Sequence, residues 1–111
     1  MRSEYKELFL YARGLILSHD EQIIEKKNKC QTSYYLHCRC LITLKTIQSG
    51  IYLTVAHGVK LQDRFPHKFK RFQGDGKIVR SMTYMSKNEI DVDEFHKIIE
   101  ESIIINFEKD G

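Results

Sequence analysis

Apolar and polar positions follow two different periods along this chain. Between Ser3 and Leu17, the apolar residues Tyr5, Leu8, Phe9, Ala12, Leu15 and Ile16 recur at three- and four-residue spacing, which predicts one face of an amphipathic helix. Lys6, Glu7 and Arg13 fall off that stripe and are expected to face water. Gly14 weakens its last turns by up to about 1 kcal/mol relative to Ala. Near the other end, Asp91 and Glu94 have the spacing of an N-cap and third-position capping pair, worth about 1 kcal/mol. Val92, Phe95, Ile98, Ile99, Ile103 and Phe107 follow as a second buried stripe. Both predicted helices need an apolar surface to cover.

The middle of the chain switches to a period of two. Tyr34 to Leu44 reads as one strand, with Leu36, Cys38, Cys40 and Ile42 on one face. Thr46 to Gly50 reads as a turn, and Ile51 to Ala56 as a strand carrying Ile51, Leu53 and Val55 on one face. Ile78 to Met85 reads as a further strand. Gln22 to Lys26 reads as a short first strand in preference to a helical continuation past Asp20. Pro66 suits the first position of a helical turn. No repeat, low-complexity stretch or linker interrupts the pattern. The expectation is a single domain over residues 1–111: an N-terminal helix, an antiparallel sheet of about four to five strands and a C-terminal helix packed on one face, an α+β sandwich of two layers.

Composition agrees with one globular domain: of 111 residues, 41% are apolar and 30% charged, enough of the former to build a core. No apolar run approaches the roughly 20 residues that span a bilayer, and Glu4 and Glu7 argue against a signal peptide at the start. Three cysteines, an odd number, favour a reducing compartment and hence a cytoplasmic protein. The net charge of +3 conceals an asymmetry. Lys60, Arg64, Lys68, Lys70, Arg71, Lys77 and Arg80 are opposed over that stretch only by Asp63 and Asp75, whereas acids dominate from Glu89 onward. Such a dipolar chain can steer a charged partner or pair head to tail as a homodimer.

The most specific stretch is Ile51 to Arg80. A strand is followed by Gly58 and Leu61, a basic segment, and then Gly74-Asp75-Gly76-Lys77 with Arg80. This order, with the acidic helix start at Asp91, resembles the YdhG-like family, small bacterial proteins most of which have no assigned activity. The resemblance spans Tyr5 to Phe107 and implies a helix–sheet–helix plan. It departs at Cys30-Gln31-Thr32-Ser33, where many relatives carry an aromatic-rich stretch with a proline. Some members are described as frataxin-like iron chaperones, so the resemblance implies Fe(II) binding and delivery as an alternative function. The acids available for that role lie on the last helix, at Asp91, Asp93, Glu94, Glu100 and Glu101, whereas the first helix offers only Glu4 and Glu7.

Other candidate chemistry is sparse. Cys38 and Cys40, read on one strand face, form a thiolate alternative for a soft metal together with Cys30 or His37; core packing of these cysteines is the competing reading. His57 ends a strand beside a flexible turn and is the histidine expected to line a pocket. Gly74-x-Gly76 reads as a tight hairpin turn, and its N–H groups with Lys60, Lys77 and Arg80 make an anion- or partner-binding candidate. Gly58 reads as a strand exit needing positive φ. Phe65, Phe69 and Phe72 interleave with cations as in weak nucleic-acid binders, but their i, i+4, i+7 spacing is that of a buried helical face, which is the better reading. No catalytic signature appears. The expectation is a non-enzymatic binding or chaperone-type module whose ligand is a protein or small anion, without a resident cofactor and without a membrane.

Overall fold

The computed structural model describes residues 3–29, 31–69 and 72–108. The elements are α1 (Ser3–His19), β1 (Ile24–Lys27), β2 (Thr32–Leu36), β3 (Arg39–Ile47), β4 (Gly50–Val55), α2 (Gly58–Arg64), β5 (Arg80–Tyr84) and α3 (Val92–Phe107), with a 3-10 turn at Lys87–Glu89. The five strands form one antiparallel sheet in the order β1-β2-β3-β4-β5. Helices α1 and α3 contact each other and pack on the sheet, so the fold is α+β. No helix among the described residues is long and apolar enough to cross a membrane.

Register explains which face is covered. Tyr34 pairs with Ile42, Ile42 with Val55, Leu44 with Leu53, Leu53 with Met82 and Ile51 with Tyr84. All of these side chains are buried, and together with Leu8, Ala12 and Ile16 of α1 and Phe95, Ile98 and Ile99 of α3 they form the core. One charged cluster bridges helix and sheet at the margin of this layer. Arg13 of α1 donates to both oxygens of Glu25 on β1, at 2.6 and 3.1 Å, and Tyr34 donates its hydroxyl to Glu25 Oε2 at 2.8 Å. The hydrogen bonds from Arg13 hold the Glu25 carboxyl below its usual range, while burial pushes the Tyr34 hydroxyl up.

Several elements differ from the periodic reading. The run Tyr34–Leu44 is two strands, because His37 and Cys38 both take left-handed conformations (φ 52° and 67°) and turn the chain back on itself. Two consecutive positive φ values match the twist of a tight hairpin, but neither residue is the Gly, Asn or Asp that normally signals one. β3 then continues to Ile47, leaving only Gln48 and Ser49 for the expected turn. β5 starts at Arg80, with Ile78 and Val79 exposed before it. The stripe of α3 is rotated: Phe95, Ile98, Ile99, Ser102, Ile105 and Asn106 are buried, whereas Val92 and Phe107 are exposed. Ser102 and Asn106 hide this rotation from a purely apolar pattern.

The Glu25 cluster has a measurable signature. Glu25→Gln is expected to lower stability in urea unfolding at neutral pH by about 1–3 kcal/mol, since Arg13 loses its charge partner and the bonds to Tyr34 are remade. Because the folded-state carboxyl titrates below its unfolded value of about 4.3, its contribution is complete above that value and is lost as pH falls through the lower folded one. The Glu25→Gln variant therefore shows a shallower acid dependence than the native chain.

Candidate binding face

With α1 and α3 on one side, the alternate side chains of the strands form an open face. Cross-strand pairing aligns Lys26 with Ser33, Ser33 with Thr43, Thr43 with Thr54, and Thr54 with Ser81. An isolated bridge then adds Gln73 opposite Ser81. One polar row thus runs across all five strands. Two hydroxyl pairs tie it together: Ser33 Oγ to Thr43 Oγ1 at 3.1 Å and Thr54 Oγ1 to Ser81 Oγ at 3.3 Å. Lys45, Tyr52 and Thr83 form the row on one side, and Ile24, Tyr35 and Cys40 that on the other. Lys26 Nζ lies 5.1 Å from the Tyr35 ring centroid. None of these side chains is acidic. Ser33 is buried within the row, whereas Thr43, Thr54 and Ser81 are half-buried; hydroxyls both donate and accept, so these three present adaptable hydrogen-bonding groups beside a positive bias.

Residues 74–79 reach the edge of this face but do not form the tight hairpin expected of Gly74-x-Gly76. They belong to a wider loop closed by Gln73 N–H to Ser81 O at 2.7 Å and Ser81 N–H to Gln73 O at 2.9 Å. Gly74 does require glycine, with φ 127°. Gly76 contributes a carbonyl, not an amide: Arg80 donates to Gly76 O at 2.7 Å and to Val79 O at 3.0 Å, and its Nε donates to Gln62 of α2 at 2.7 Å. Arg80 is therefore a strut between α2 and the loop. Lys60 and Lys77 are exposed on separate elements. Gly58 does not have positive φ; it opens α2 against β5, where a Cβ would lie 2.5 Å from the Arg80 backbone N.

His57 is half-buried at the N-cap position of α2, and its Nε2 lies 2.6 Å from Asn106 Oδ1 on α3. Arg39 donates to the Asn106 carbonyl at 2.9 Å. Ser102 Oγ and Asn106 Nδ2 are buried without a hydrogen-bond partner among the described residues. His57 thus joins α2 to α3 through an amide, and no carboxylate among the described residues orients it.

The thiolate pair does not share a strand face. Cys38 sits exposed in the β2–β3 turn, contrary to the core-packing reading, and Cys40 is half-buried on the open face, 3.8 Å from Thr43 Oγ1. Burial pushes the Cys40 thiol up. Cys30 lies outside the described residues. Asp91 is occupied as the α3 N-cap, accepting from Glu94 N–H at 3.1 Å, while Asp93 is exposed beside it and Glu101 pairs with Lys97 at 3.1 Å. Among the described residues, no group of three or more His, Cys, Asp or Glu side chains is placed to hold a metal ion.

The basic segment is partly neutralised from within, since Arg64 pairs with Glu108 at the end of α3. Lys70 and Arg71 lie outside the described residues. Phe69 and Phe72 stack at 5.1 Å and are buried, and Phe65 meets Phe69 edge-on at 5.9 Å. Their role is core packing, reached through successive turns rather than the helix their spacing predicts.

Comparison with family models, curated proteins and solved structures returned no match.

The hydroxyl row escaped the sequence reading because its register depends on the turn at His37 and Cys38. The available signal was the alternation of Thr and Ser with buried residues in β3 and β4. Two substitutions test the supporting geometry by chemical denaturation. Gly58→Ala is expected to destabilise the fold by about 1–3 kcal/mol through overpacking against Arg80. His57→Ala is expected to cost about 1–3 kcal/mol, because it strands the remaining polar atom of the buried Asn106 amide.

Proposed function

We propose that this chain is a YdhG-like, non-enzymatic binding module that receives a small anion or the acidic surface of a partner protein on its open sheet face. The observation that carries this reading is the continuous row Lys26–Ser33–Thr43–Thr54–Ser81–Gln73, flanked by Lys45, Tyr35 and Tyr52 and free of carboxylates. The YdhG-like assignment is supported by the helix–sheet–helix order and by the packing role of the Gly58–Arg80 contact, which accounts for two of the residues that carry the resemblance. A sheet face held rigid by its neighbours orders few groups on binding, which limits the entropic cost of association. Lysines at its margin add steering and salt dependence rather than fixed geometry.

The test is a titration of the amide-labelled protein with an acidic peptide, hexaglutamate, followed by NMR. Shifts are expected at Ser33, Thr43, Thr54 and Ser81, weakening with added salt. Lys26→Glu combined with Tyr52→Ala should weaken binding by about tenfold, or 1.4 kcal/mol. Shifts confined to other surfaces, or unaffected by this double variant, would overturn the reading.

A further inference from the structure

Lys26 and Lys27 are neighbours in β1 and therefore point to opposite faces of the sheet. Lys26 belongs to the open face, while Lys27 pairs with Thr32, and Thr32 with Leu44, on the covered one. At this corner β3 outruns β2. Among the described residues, the last β2–β3 pair is Thr32 with Leu44, while β3 continues through Lys45, Thr46 and Ile47 paired with β4. A cleft of about 210 Å³ lies between the end of β3, Lys27–Lys29 and Gln31–Thr32, and Phe9 of α1.

Among the described residues, Lys27, Lys29 and Lys45 line that cleft and no carboxylate does. The carboxylate nearest in sequence, Glu25, is hydrogen-bonded to Arg13 and Tyr34 on the inner side of β1, and Lys27 acts on it only as a lesser, through-space charge. Asn28 and Gln31 shape the connection: Asn28 N–H donates to Gln31 O at 2.9 Å, and Gln31 N–H donates to Asn28 Oδ1 at 2.9 Å. Thr32 and Thr46 add hydroxyls to the wall, and Phe9 and Leu44 add an apolar surface.

We propose that this cleft binds a small phosphorylated molecule, its phosphate held by the lysines and its polar body by the amides and hydroxyls. Lys27, Lys29 and Lys45 are exposed residues around one cleft, and a phosphomonoester carrying about −1.5 to −2 charges at pH 7 is attracted to such a cationic rim more strongly than a single carboxylate. Lysine binds phosphate as a mobile point charge, which suits a site whose cations sit on a turn and a strand end. The cleft is smaller than the roughly 300–1,000 Å³ of drug-sized ligand pockets, so the occupant is a compact molecule such as a pentose phosphate. Lys45 flanks the open face as well, so the two sites share one cation; Lys27 and Lys29 lie outside that face and distinguish the cleft from it.

The experiment is an NMR titration of the amide-labelled full chain with ribose 5-phosphate, using ribose as the neutral control and inorganic phosphate as competitor. Saturable shifts are expected at Lys27, Lys29, Gln31, Thr32 and Leu44–Thr46, with a dissociation constant of about millimolar or tighter. Inorganic phosphate should displace the sugar phosphate. Lys27→Gln with Lys29→Gln should weaken binding about tenfold or more, whereas Lys6→Gln should leave it unchanged; retained amide dispersion shows that each variant is folded. An equal response to ribose, shifts centred elsewhere, or indifference to the Lys27/Lys29 double variant would overturn the proposal.

Discussion

Everything in this molecule depends on one-sided burial of the sheet. α1 and α3 cover a single face, and the buried residues of β2 to β5 reach that face only in one register. A slip of one residue would carry Ser33, Thr43, Thr54 and Ser81 into the core and expel Ile42, Leu53 and Met82. Each unsatisfied hydroxyl buried in that way costs about 1–3 kcal/mol, in addition to the lost apolar burial of about 25 cal/mol per Å². Register is therefore strongly specified, and the polar row is its obligatory counterpart on the other side.

The same alternation separates two surfaces that sequence places side by side. Lys26 and Lys27 are adjacent, yet one lies over Tyr35 on the open face and the other lines the cleft beside Phe9. The Glu25 cluster next to them anchors the edge strand to α1, and Lys27 is a weaker electrostatic neighbour of the same carboxylate.

Two cations of the basic segment serve architecture instead. Arg80 braces α2 against its loop, and Arg64 pairs with Glu108. From the acidic end, Lys97 of α3 reaches back to lie 5.0 Å from the centroid of the Phe65 ring. The contrast between basic middle and acidic end is consequently met in part inside the chain. His57 follows the same pattern: its partner is a buried amide on α3, so it contributes to helix docking rather than to an acid–base pair.

By itself, the sequence determined what period and capping determine. The two terminal helices, the Asp91 cap, the apolar strands and the α+β class were legible because burial imposes those periods locally, and the short first strand was legible in nearly its observed place. Tertiary structure alone decided the rest. The hairpin at His37 and Cys38 is built from residues with no turn signature, and it takes Cys38 out of the strand face that periodicity assigns to it together with Cys40. Polar Ser102 and Asn106 turned the buried stripe of α3, and the close approach of β5 gave Gly58 its reason. Both candidate sites arise from side chains distant in sequence: the hydroxyl row needs four strand registers at once, and the lysine cleft joins Lys45 on β3 to Lys27, Lys29 and Phe9. Local patterning records which residues must be buried; which exposed residues meet is a property of the pairing.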